Sequence, residues 1–154
     1  MSCVYGMRIG YYSGDILKIV SEDLPILKPT FFPAVPRLFN RFYGVMQDKI
    51  KKADGCKGWL IHRAFEAKLA NLERDGSIHH PCYDRLVMKK IAQALGGNVT
   101  KMLTGSAPLS KDVMNFFKVA FSAQFLEAYG MTETCGGTVG TTTYDNKTGH
   151  VGGP

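Results

Sequence analysis

The stretch that decides the fold is "NVTKMLTGSAPLSKDVMNFFKVAFSAQFLEAYG", residues 98–130. Its beginning, "NVTKMLTG", predicts a short strand ending at Gly105, and its end, "AQFLEAYG", predicts a second strand. Between the two strands, Ser110 is a favourable helix cap. Apolar residues then recur with helical spacing at Val113, Phe116, Phe117, Ala120 and Phe121. A strand, an amphipathic helix and a strand within about 30 residues form a βαβ unit, so we expect parallel strands joined by a right-handed crossover.

This topology brings two loops to the same edge of the sheet. The loop "TGSAP" (104–108) follows the first strand, and "YGMTET" (129–134) follows the second. Ligands of open parallel sheets bind beyond the carboxyl ends of the strands, so we expect a binding site at this edge. The same placement explains why a strand with apolar residues is followed directly by Thr132, Glu133 and Thr134.

The rest of the chain predicts a third strand and further helices. The aromatic stretch "PTFFPAVPR" from Pro29 predicts a strand, and "ILKIVSEDLPILK" before it predicts a helix that Asp15 caps and Pro25 breaks. Later helices have apolar faces formed by Leu38, Phe42, Val45, Met46 and Ile50, by Ile61, Ala64, Phe65, Leu69 and Leu72, and by Val87, Ile91, Ala94 and Leu95. Gly76 and a double glycine at 96–97 end the last two. The sequence therefore predicts an α/β fold, a parallel sheet with flanking helices.

Composition limits the classes of function. The 154 residues suffice for one domain, and the net charge is +6. The basic residues are scattered and no groove-reading motif accompanies them, so nucleic acid is not an expected partner. No apolar run approaches the roughly 20 residues that span a bilayer, and no secretory signal follows Met1.

The cysteines and histidines predict no metal centre. The four cysteines lie far apart and form no C-x-x-C pair, as expected for reduced thiols. His79, His80 and Cys82 are close together in "SIHHPC", but a second ligand pair is lacking. We interpret this stretch as a polar loop, with Pro81 in the first turn of the next helix.

The residue types of the two edge loops suit a nucleotide. Residues 105–107 (Gly-Ser-Ala) carry little or no side chain, so their backbone can approach a planar ring closely. Tyr129 can stack on a base, and Gly130 permits a sharp turn. Thr132 can donate a hydrogen bond to a phosphate oxygen, and Glu133 is a hard oxygen ligand for Mg²⁺. These residues describe half of a nucleotide site; the alternative is an ordinary strand-to-helix turn with a capping threonine.

Several motifs, in the same order, resemble a known family. "YGMTET" resembles the Y-G-x-T-E core motif of the adenylate-forming enzymes, which include acyl-CoA synthetases, luciferases and peptide-synthetase adenylation domains. "MLTGSAPLS" is similar to the G-x-A-P-L segment that precedes that motif in the family. "GYYSGD", "LKPTFFPAVPRLFNR" and "TGHVGGP" resemble the long-chain fatty acyl-CoA synthetase branch. The resemblance covers nearly the whole chain.

The resemblance implies a ligase that joins a long-chain fatty acid to coenzyme A. Such an enzyme converts the fatty acid and ATP, with Mg²⁺, to an acyl-adenylate and pyrophosphate, and then passes the acyl group to coenzyme A. The resemblance also implies an intracellular location, at the cytoplasmic face of the endoplasmic reticulum or at a peroxisomal or mitochondrial membrane. Membrane attachment would come from segments outside this chain.

Roles for individual residues follow from the same resemblance. The catalytic residues would be Thr132, which meets the α-phosphate, and Glu133, which holds Mg²⁺. Adenine would lie between one wall of the site and the ring of Tyr129. The implied nucleotide-binding residues are Gly105, Ser106, Ala107, Pro108, Tyr129, Gly130, Met131 and Thr132.

Other parts that the family implies do not occur in this sequence. It has no Ser/Thr/Gly-rich phosphate loop with its lysine, no ribose-binding aspartate after the Y-G-x-T-E motif, and no carboxyl-terminal subdomain. We therefore expect residues 1–154 to be a partial AMP-binding domain, an internal piece of a larger synthetase, and inactive alone. The alternative is a truncated, non-catalytic isoform that acts as a binding or interaction module. A flavodoxin-like domain that binds another nucleotide is a further alternative.

Overall fold

The fold is described from a computed structural model, which covers residues 6–11, 14, 18–53, 55–143, 145 and 147–152. In this part of the chain, a sheet has the strand order β1-β2-β3-β4. The strands are β1 (Phe31–Pro33), β2 (Lys101–Gly105), β3 (Gln124–Met131) and β4 (Gly136–Gly140). The first three strands are parallel, and β4 is antiparallel to β3. The predicted α/β class is confirmed.

The predicted βαβ unit is also confirmed. Helix α6 (Lys111–Phe121) connects β2 to β3, and the hydroxyl of Ser110 caps it by accepting a hydrogen bond from the N–H of Val113 at 3.4 Å. Every residue of the predicted apolar face of α6 is buried. The helix ends where Ser122 adopts a left-handed conformation, with φ of 48°. This turn allows β3 to start directly beside β2.

The remaining helices precede β2. They are α1 (Leu24–Leu27), α2 (Pro36–Lys51), α3 (Gly55–Asp75), α4 (Pro81–Tyr83) and α5 (Lys89–Ala92). A π-helical turn, Ile19–Asp23, leads into α1, a second one, Asp84–Met88, joins α4 to α5, and a 3₁₀ turn, Gln93–Leu95, follows α5. Pro81 occupies the first turn of α4, as predicted.

The predicted break at Pro25 corresponds to a change of helix type, since the π-helical turn ends at Asp23 and Pro25 lies in the first turn of α1. One prediction for the first half of the chain was wrong. Val45 was predicted on the buried face of α2, but its side chain is 44% exposed. It is one residue, and therefore about 100° of helical rotation, away from Met46. Phe39 is fully buried in its place. The predicted cap at Asp15 lies outside the described residues.

The core fills one face of the sheet and is largely aromatic. The ring of Phe39 in α2 lies 5.8 Å from that of Phe32 in β1, 5.1 Å from that of Phe117 in α6 and 4.8 Å from that of Phe125 in β3. Met102 in β2 is fully buried in the same cluster. Helices α2 and α6 therefore both contribute to the core on this face of the sheet.

A buried ion pair connects three helical segments. The ammonium group of Lys68 in α3 has no exposed area and bonds to the carboxylate of Asp84. It also donates a hydrogen bond to the hydroxyl of Ser122 at 2.7 Å, and that hydroxyl lies 3.1 Å from Asp84. The backbone N–H of His80 donates to the other oxygen of Asp84 at 2.9 Å. The network therefore links α3 and the 81–95 helical stretch to the turn before β3.

The two charges of this pair have perturbed pKa values. Burial lowers the pKa of Lys68, although the hydrogen bond and the charge of Asp84 act in the opposite direction. Burial also acts to raise the pKa of Asp84. The hydrogen bonds from Lys68, His80 and Ser122, together with the Lys68 charge, outweigh this effect and hold the pKa of Asp84 below its usual value.

Among the described residues, no helix combines the length and the apolar composition that a bilayer crossing requires.

Candidate functional site

The two edge loops leave the sheet side by side, as the sequence predicts. Gly105, the last residue of β2, pairs with Ala128 in β3, and the two strands run parallel. Strand β3 continues for three more residues and pairs there with β4 alone. The loops at 106–110 and 132–135 therefore open on the same edge of the sheet.

The first loop presents small, exposed residues. Ser106, Ala107 and Pro108 are all exposed, and Ser106 has a left-handed conformation with φ of 71°. Gly105 has a different role, in the sheet. A Cβ atom at this position would lie 2.9 Å from the carbonyl oxygen of Ala128. Glycine here lets β2 and β3 approach each other, and the exposed part of the loop is formed by the next three residues.

The end of β3 presents two large side chains and one glycine. Tyr129 is 50% exposed and Met131 is 47% exposed, so both have surface free for a ligand. A Cβ atom at Gly130 would lie only 1.9 Å from the carbonyl oxygen of Gly136. Gly130 is therefore required by the close approach of β3 and β4. Its predicted role in a turn is replaced by a role inside the strand.

The polar triplet forms the tip of a β-hairpin. Met131 pairs with Gly136, and a single 3₁₀ turn, Thr132–Thr134, connects β3 to β4. Cys135 closes the turn in a left-handed conformation and donates its N–H to the carbonyl of Thr132 at 3.0 Å. The alternative interpretation, a strand-to-helix turn, is wrong because the chain returns antiparallel to β3.

The three polar residues of the tip are not equivalent. Thr132 and Glu133 are exposed, and within the described residues their side chains form no hydrogen bond or ion pair. The hydroxyl of Thr134 accepts a hydrogen bond from the N–H of Met131 at 3.1 Å and lies 3.0 Å from the carbonyl oxygens of Met131 and Gly136. Thr132 and Glu133 are thus available to a ligand, whereas Thr134 serves the turn.

The donor set at this edge fits a magnesium ion that is shared with phosphates. The part of the chain that the structure describes contains no group of three or more His, Cys, Asp or Glu side chains able to enclose a metal. Glu133 offers a single exposed carboxylate. Mg²⁺ is characteristically held by one or two carboxylates, with water and substrate phosphates completing its shell. The residues present therefore fit a phosphate-bound Mg²⁺ and do not fit an all-protein metal site.

Sequence reasoning missed β4 and the threonine hydroxyl groups within it and directly after it. The hydroxyl of Thr138 donates to that of Thr134 at 2.9 Å. The N–H of Glu127 donates to the hydroxyl of Thr141 at 2.8 Å, and the N–H of Thr141 donates to the carbonyl of Glu127 at 2.9 Å. The β-branched run "TVGTTT" at 138–143 is the signal that would have indicated this strand.

Comparison with known proteins identifies the family. The family model described as AMP-binding enzyme matches residues 1–154. The chain belongs to the AMP-binding enzyme family. The chain is 43% identical over 154 residues to the peroxisomal long chain acyl-CoA synthetase 6 of Arabidopsis thaliana, and this match covers 100% of the chain and 22% of the plant protein.

Animal relatives of this AMP-binding chain are similar to the same extent. It is 42% identical over 153 residues to long-chain-fatty-acid–CoA ligase 6 of Rattus norvegicus, covering 97% of the chain and 21% of the rat protein. It is 40% identical over 151 residues to ligase 1 of Homo sapiens, again covering 97% of the chain and 21% of the relative. The chain thus spans about a fifth of the length of the curated relatives it matches.

A solved structure agrees on the fold. The adenylation domain of a carboxylate reductase from Mycobacterium chelonae matches 79% of this AMP-binding chain and 16% of that domain's chain, with a TM-score of 0.53 and 23% identity. At this identity, the likeness concerns the fold alone. The expected membership of the adenylate-forming fold is confirmed.

Proposed function

We propose that this chain forms the adenine- and phosphate-facing edge of a long-chain fatty acyl-CoA synthetase. The enzyme would join a fatty acid to ATP, releasing pyrophosphate, and transfer the acyl group from the adenylate to coenzyme A. The observation that carries the proposal is the parallel register of β2 and β3. Because Gly105 pairs with Ala128, the exposed loop at 106–108 opens beside Tyr129 and the Thr132–Glu133 tip.

The roles of the residues follow from where they lie on this edge. Adenine would lie between the small-residue loop at 105–108 and the half-exposed ring of Tyr129, whose neighbours Gly130 and Met131 complete that side. The hydroxyl of Thr132 would donate a hydrogen bond to the α-phosphate. The carboxylate of Glu133 would hold Mg²⁺. Both side chains are exposed at the tip and form no bond within the described chain, which supports a ligand role.

Magnesium, when bound, would neutralise charge that develops on the phosphates during displacement of pyrophosphate. The chain itself would contribute by positioning the groups that bind phosphate and Mg²⁺. Thr132 and Glu133 are consecutive residues of one short turn, so the same backbone segment places the phosphate donor and the metal ligand. Preorganised groups of this kind stabilise the transition state because they need no reorganisation during the reaction.

We further propose that the 154-residue chain alone is inactive. The family's phosphate loop, ribose-binding aspartate and catalytic lysine have no counterpart in its sequence. Removing a single preorganised donor typically costs about 10²–10³ in rate. Loss of several such groups should abolish measurable ligation, and we expect MgATP affinity weaker than micromolar by isothermal titration. The complete enzyme would act inside the cell, at a membrane that supplies fatty acid.

The test compares thioester formation from labelled palmitate by this chain and by a version extended at both ends to a complete synthetase. We expect activity only in the extended protein. There, Glu133→Gln should lower kcat by about 10²-fold or more. Glu66→Gln, at an exposed glutamate of α3 that pairs only with exposed Arg63, serves as the matched control. An inert extended protein would favour the non-catalytic interaction module.

Substitutions at Tyr129 give a second, independent test of the proposed function. Tyr129→Phe keeps the ring and should leave the KM for ATP nearly unchanged, whereas Tyr129→Ala should raise it about tenfold, the loss expected for one stacked base. Equal effects of the two substitutions would contradict stacking and would assign the phenolic hydroxyl the main role. Competition by flavin that is stronger than competition by ATP would instead support a flavodoxin-like nucleotide site.

A further inference from the structure

The hairpin that carries Thr132 and Glu133 contains an irregularity in β4. Tyr129 pairs with Val139, but the next residue of β3, Gly130, pairs with Gly137. Thr138 is therefore an extra residue between two regular pairs, which is a β-bulge. Bulges redirect side chains and occur often beside functional sites. Here the redirected side chain is that of Thr138, and its hydroxyl reaches back to the hairpin tip.

At the tip, Thr138 contacts the hydroxyl of Thr134, which bonds to backbone groups on both sides of the turn. The hydroxyl of Thr138 donates a hydrogen bond to that of Thr134 at 2.9 Å. The hydroxyl of Thr134 in turn accepts from the N–H of Met131 and lies 3.0 Å from the carbonyl oxygens of Met131 and Gly136. One side chain thus joins both strand ends of the hairpin, and a second supports it from the bulge.

Counting donors and acceptors excludes Thr134 as a ligand of the nucleotide. A threonine hydroxyl has one proton to donate and two lone pairs that accept. The N–H of Met131 and the hydroxyl of Thr138 occupy both lone pairs, and the proton is shared between two carbonyl oxygens. No bonding capacity remains for a phosphate. Under the proposed function, the contacts to phosphate and metal therefore come from Thr132 and Glu133, which the turn presents.

We propose that Thr134 and Thr138 are positioning residues, which orient Glu133 toward Mg²⁺ and Thr132 toward the phosphate. The inference rests on the proposed function and extends it to residues that do not touch the substrate. A single 3₁₀ turn has few bonds of its own; one of them runs from the N–H of Cys135 to the carbonyl of Thr132. Without the hydroxyl pair, Glu133 would sample several directions, and the metal would be bound less often in the productive geometry.

The test uses the full-length enzyme that carries this chain. Thr134→Val removes the hydroxyl with nearly the same shape, Thr134→Ser retains it, and Thr138→Val removes only the supporting bond. Thr142→Val is the matched control, because Thr142 is exposed beyond the end of β4 and its hydroxyl forms no bond in the described chain. For each variant we measure the Mg²⁺ concentration for half-maximal activity, the KM values for MgATP and for fatty acid, kcat and Tm.

We expect Thr134→Val to raise the half-maximal Mg²⁺ concentration or to lower kcat by about tenfold, the scale of one or two lost hydrogen bonds. The KM for fatty acid should stay within about twofold, Thr138→Val should show about a threefold effect, and Thr134→Ser should resemble the wild type. Thr142→Val should change nothing. The distinguishing result is the rescue by serine together with the selective effect on Mg²⁺ and MgATP.

Two results would overturn the inference while leaving the proposed function standing. In one, Glu133→Gln abolishes activity but Thr134→Val and Thr138→Val match the wild type. In the other, Thr134→Val and Thr134→Ser are equally impaired, with all KM values and Tm shifted together, which is the pattern of a purely structural residue. If the wild-type enzyme forms no adenylate and Glu133→Gln changes nothing, the proposed function itself fails and the inference fails with it.

Discussion

The buried pair of Lys68 and Asp84 allows a quantitative prediction. Asp84→Asn keeps the shape of the side chain but removes the charge that faces the fully buried ammonium of Lys68. Breaking a buried ion pair by removing one partner typically costs about 3–5 kcal/mol, because the other charge remains in a dry environment. We expect the free energy of unfolding of the chain to fall by about that amount at neutral pH.

The reciprocal change should cost less. Lys68→Met leaves the Asp84 carboxylate, but 25% of that side chain is exposed. It also keeps the N–H of His80 at 2.9 Å and the hydroxyl of Ser122 at 3.1 Å. Water and these two donors still stabilise most of the negative charge of the carboxylate. We therefore expect the free energy of unfolding to fall by about 1–3 kcal/mol. The double variant replaces the pair by neutral groups and should recover most of the stability.

The assay is urea unfolding followed by far-UV circular dichroism, with the wild type, both single variants and the double variant treated as a thermodynamic cycle. The reasoning is refuted if Asp84→Asn costs less than Lys68→Met, or if the double variant loses as much as the sum of the two. Either outcome would mean that the charges are solvated in solution and that burial of Lys68 does not set the energy of the pair.

The stability that this ion pair contributes should depend on pH in a defined direction. The pKa of Asp84 is lowered by folding, so the unfolded state binds more protons around and below the usual aspartate pKa of about 3.9. The stability from Asp84 is therefore fully present above that pH and is lost as the pH falls through the lower, folded pKa. The pKa of Lys68 is also lowered, by burial, so in Asp84→Asn stability should rise as the pH is raised from neutral toward 10.

Two further changes test the sheet beneath the site. Thr104→Val should leave the free energy of unfolding unchanged or raise it by about 1 kcal/mol in urea unfolding, because the buried Thr104 hydroxyl has no hydrogen-bond partner among the described residues. Thr100→Val, which removes a bond to the carbonyl of Thr30, should lower it. Gly130→Ala should cost about 2–3 kcal/mol in the same assay, because its Cβ would meet the Gly136 carbonyl. Gly137→Ala, with open space around it, is the control, and equal losses at both glycines would contradict the tight β3–β4 approach.

The sequence predicts local elements well because their periodicity is local. Residues 98–131 contain the helical spacing of apolar residues in α6, the Ser110 cap and the two flanking strands. The structure has each of these features. Lys68 shows how a chemically unusual residue escapes such reasoning. It lies midway between Ala64 and Leu72 on one stripe of α3, and all three are buried. Its position indicated burial, but its charge argued against it, and the partner at Asp84 is 16 residues away.

Strand β4 was missed because its composition hides it, although it pairs with β3 across a short turn. Its residues, "GGTVG", contain three glycines, which weaken any strand pattern. The bulge at Thr138 shifts the register, so that the side chains do not alternate regularly. The strand pairs with the edge of β3 that lies opposite to β2 and that the parallel strands leave open. This pairing makes the expected strand-to-helix turn a hairpin.

This distinction changes how the motif residues should be interpreted. The glycines at 105 and 130 face backbone carbonyls of neighbouring strands at distances that no side chain tolerates. They allow β2, β3 and β4 to approach each other closely, so in the proposed site a ligand would contact mainly the residues that follow them. Under the proposed function, the exposed residues 106–108 after β2 and the half-exposed ring of Tyr129 at the end of β3 would supply the surface for adenine. The positions of both segments then follow from sheet pairing, while the chemistry beside them depends on the hairpin tip.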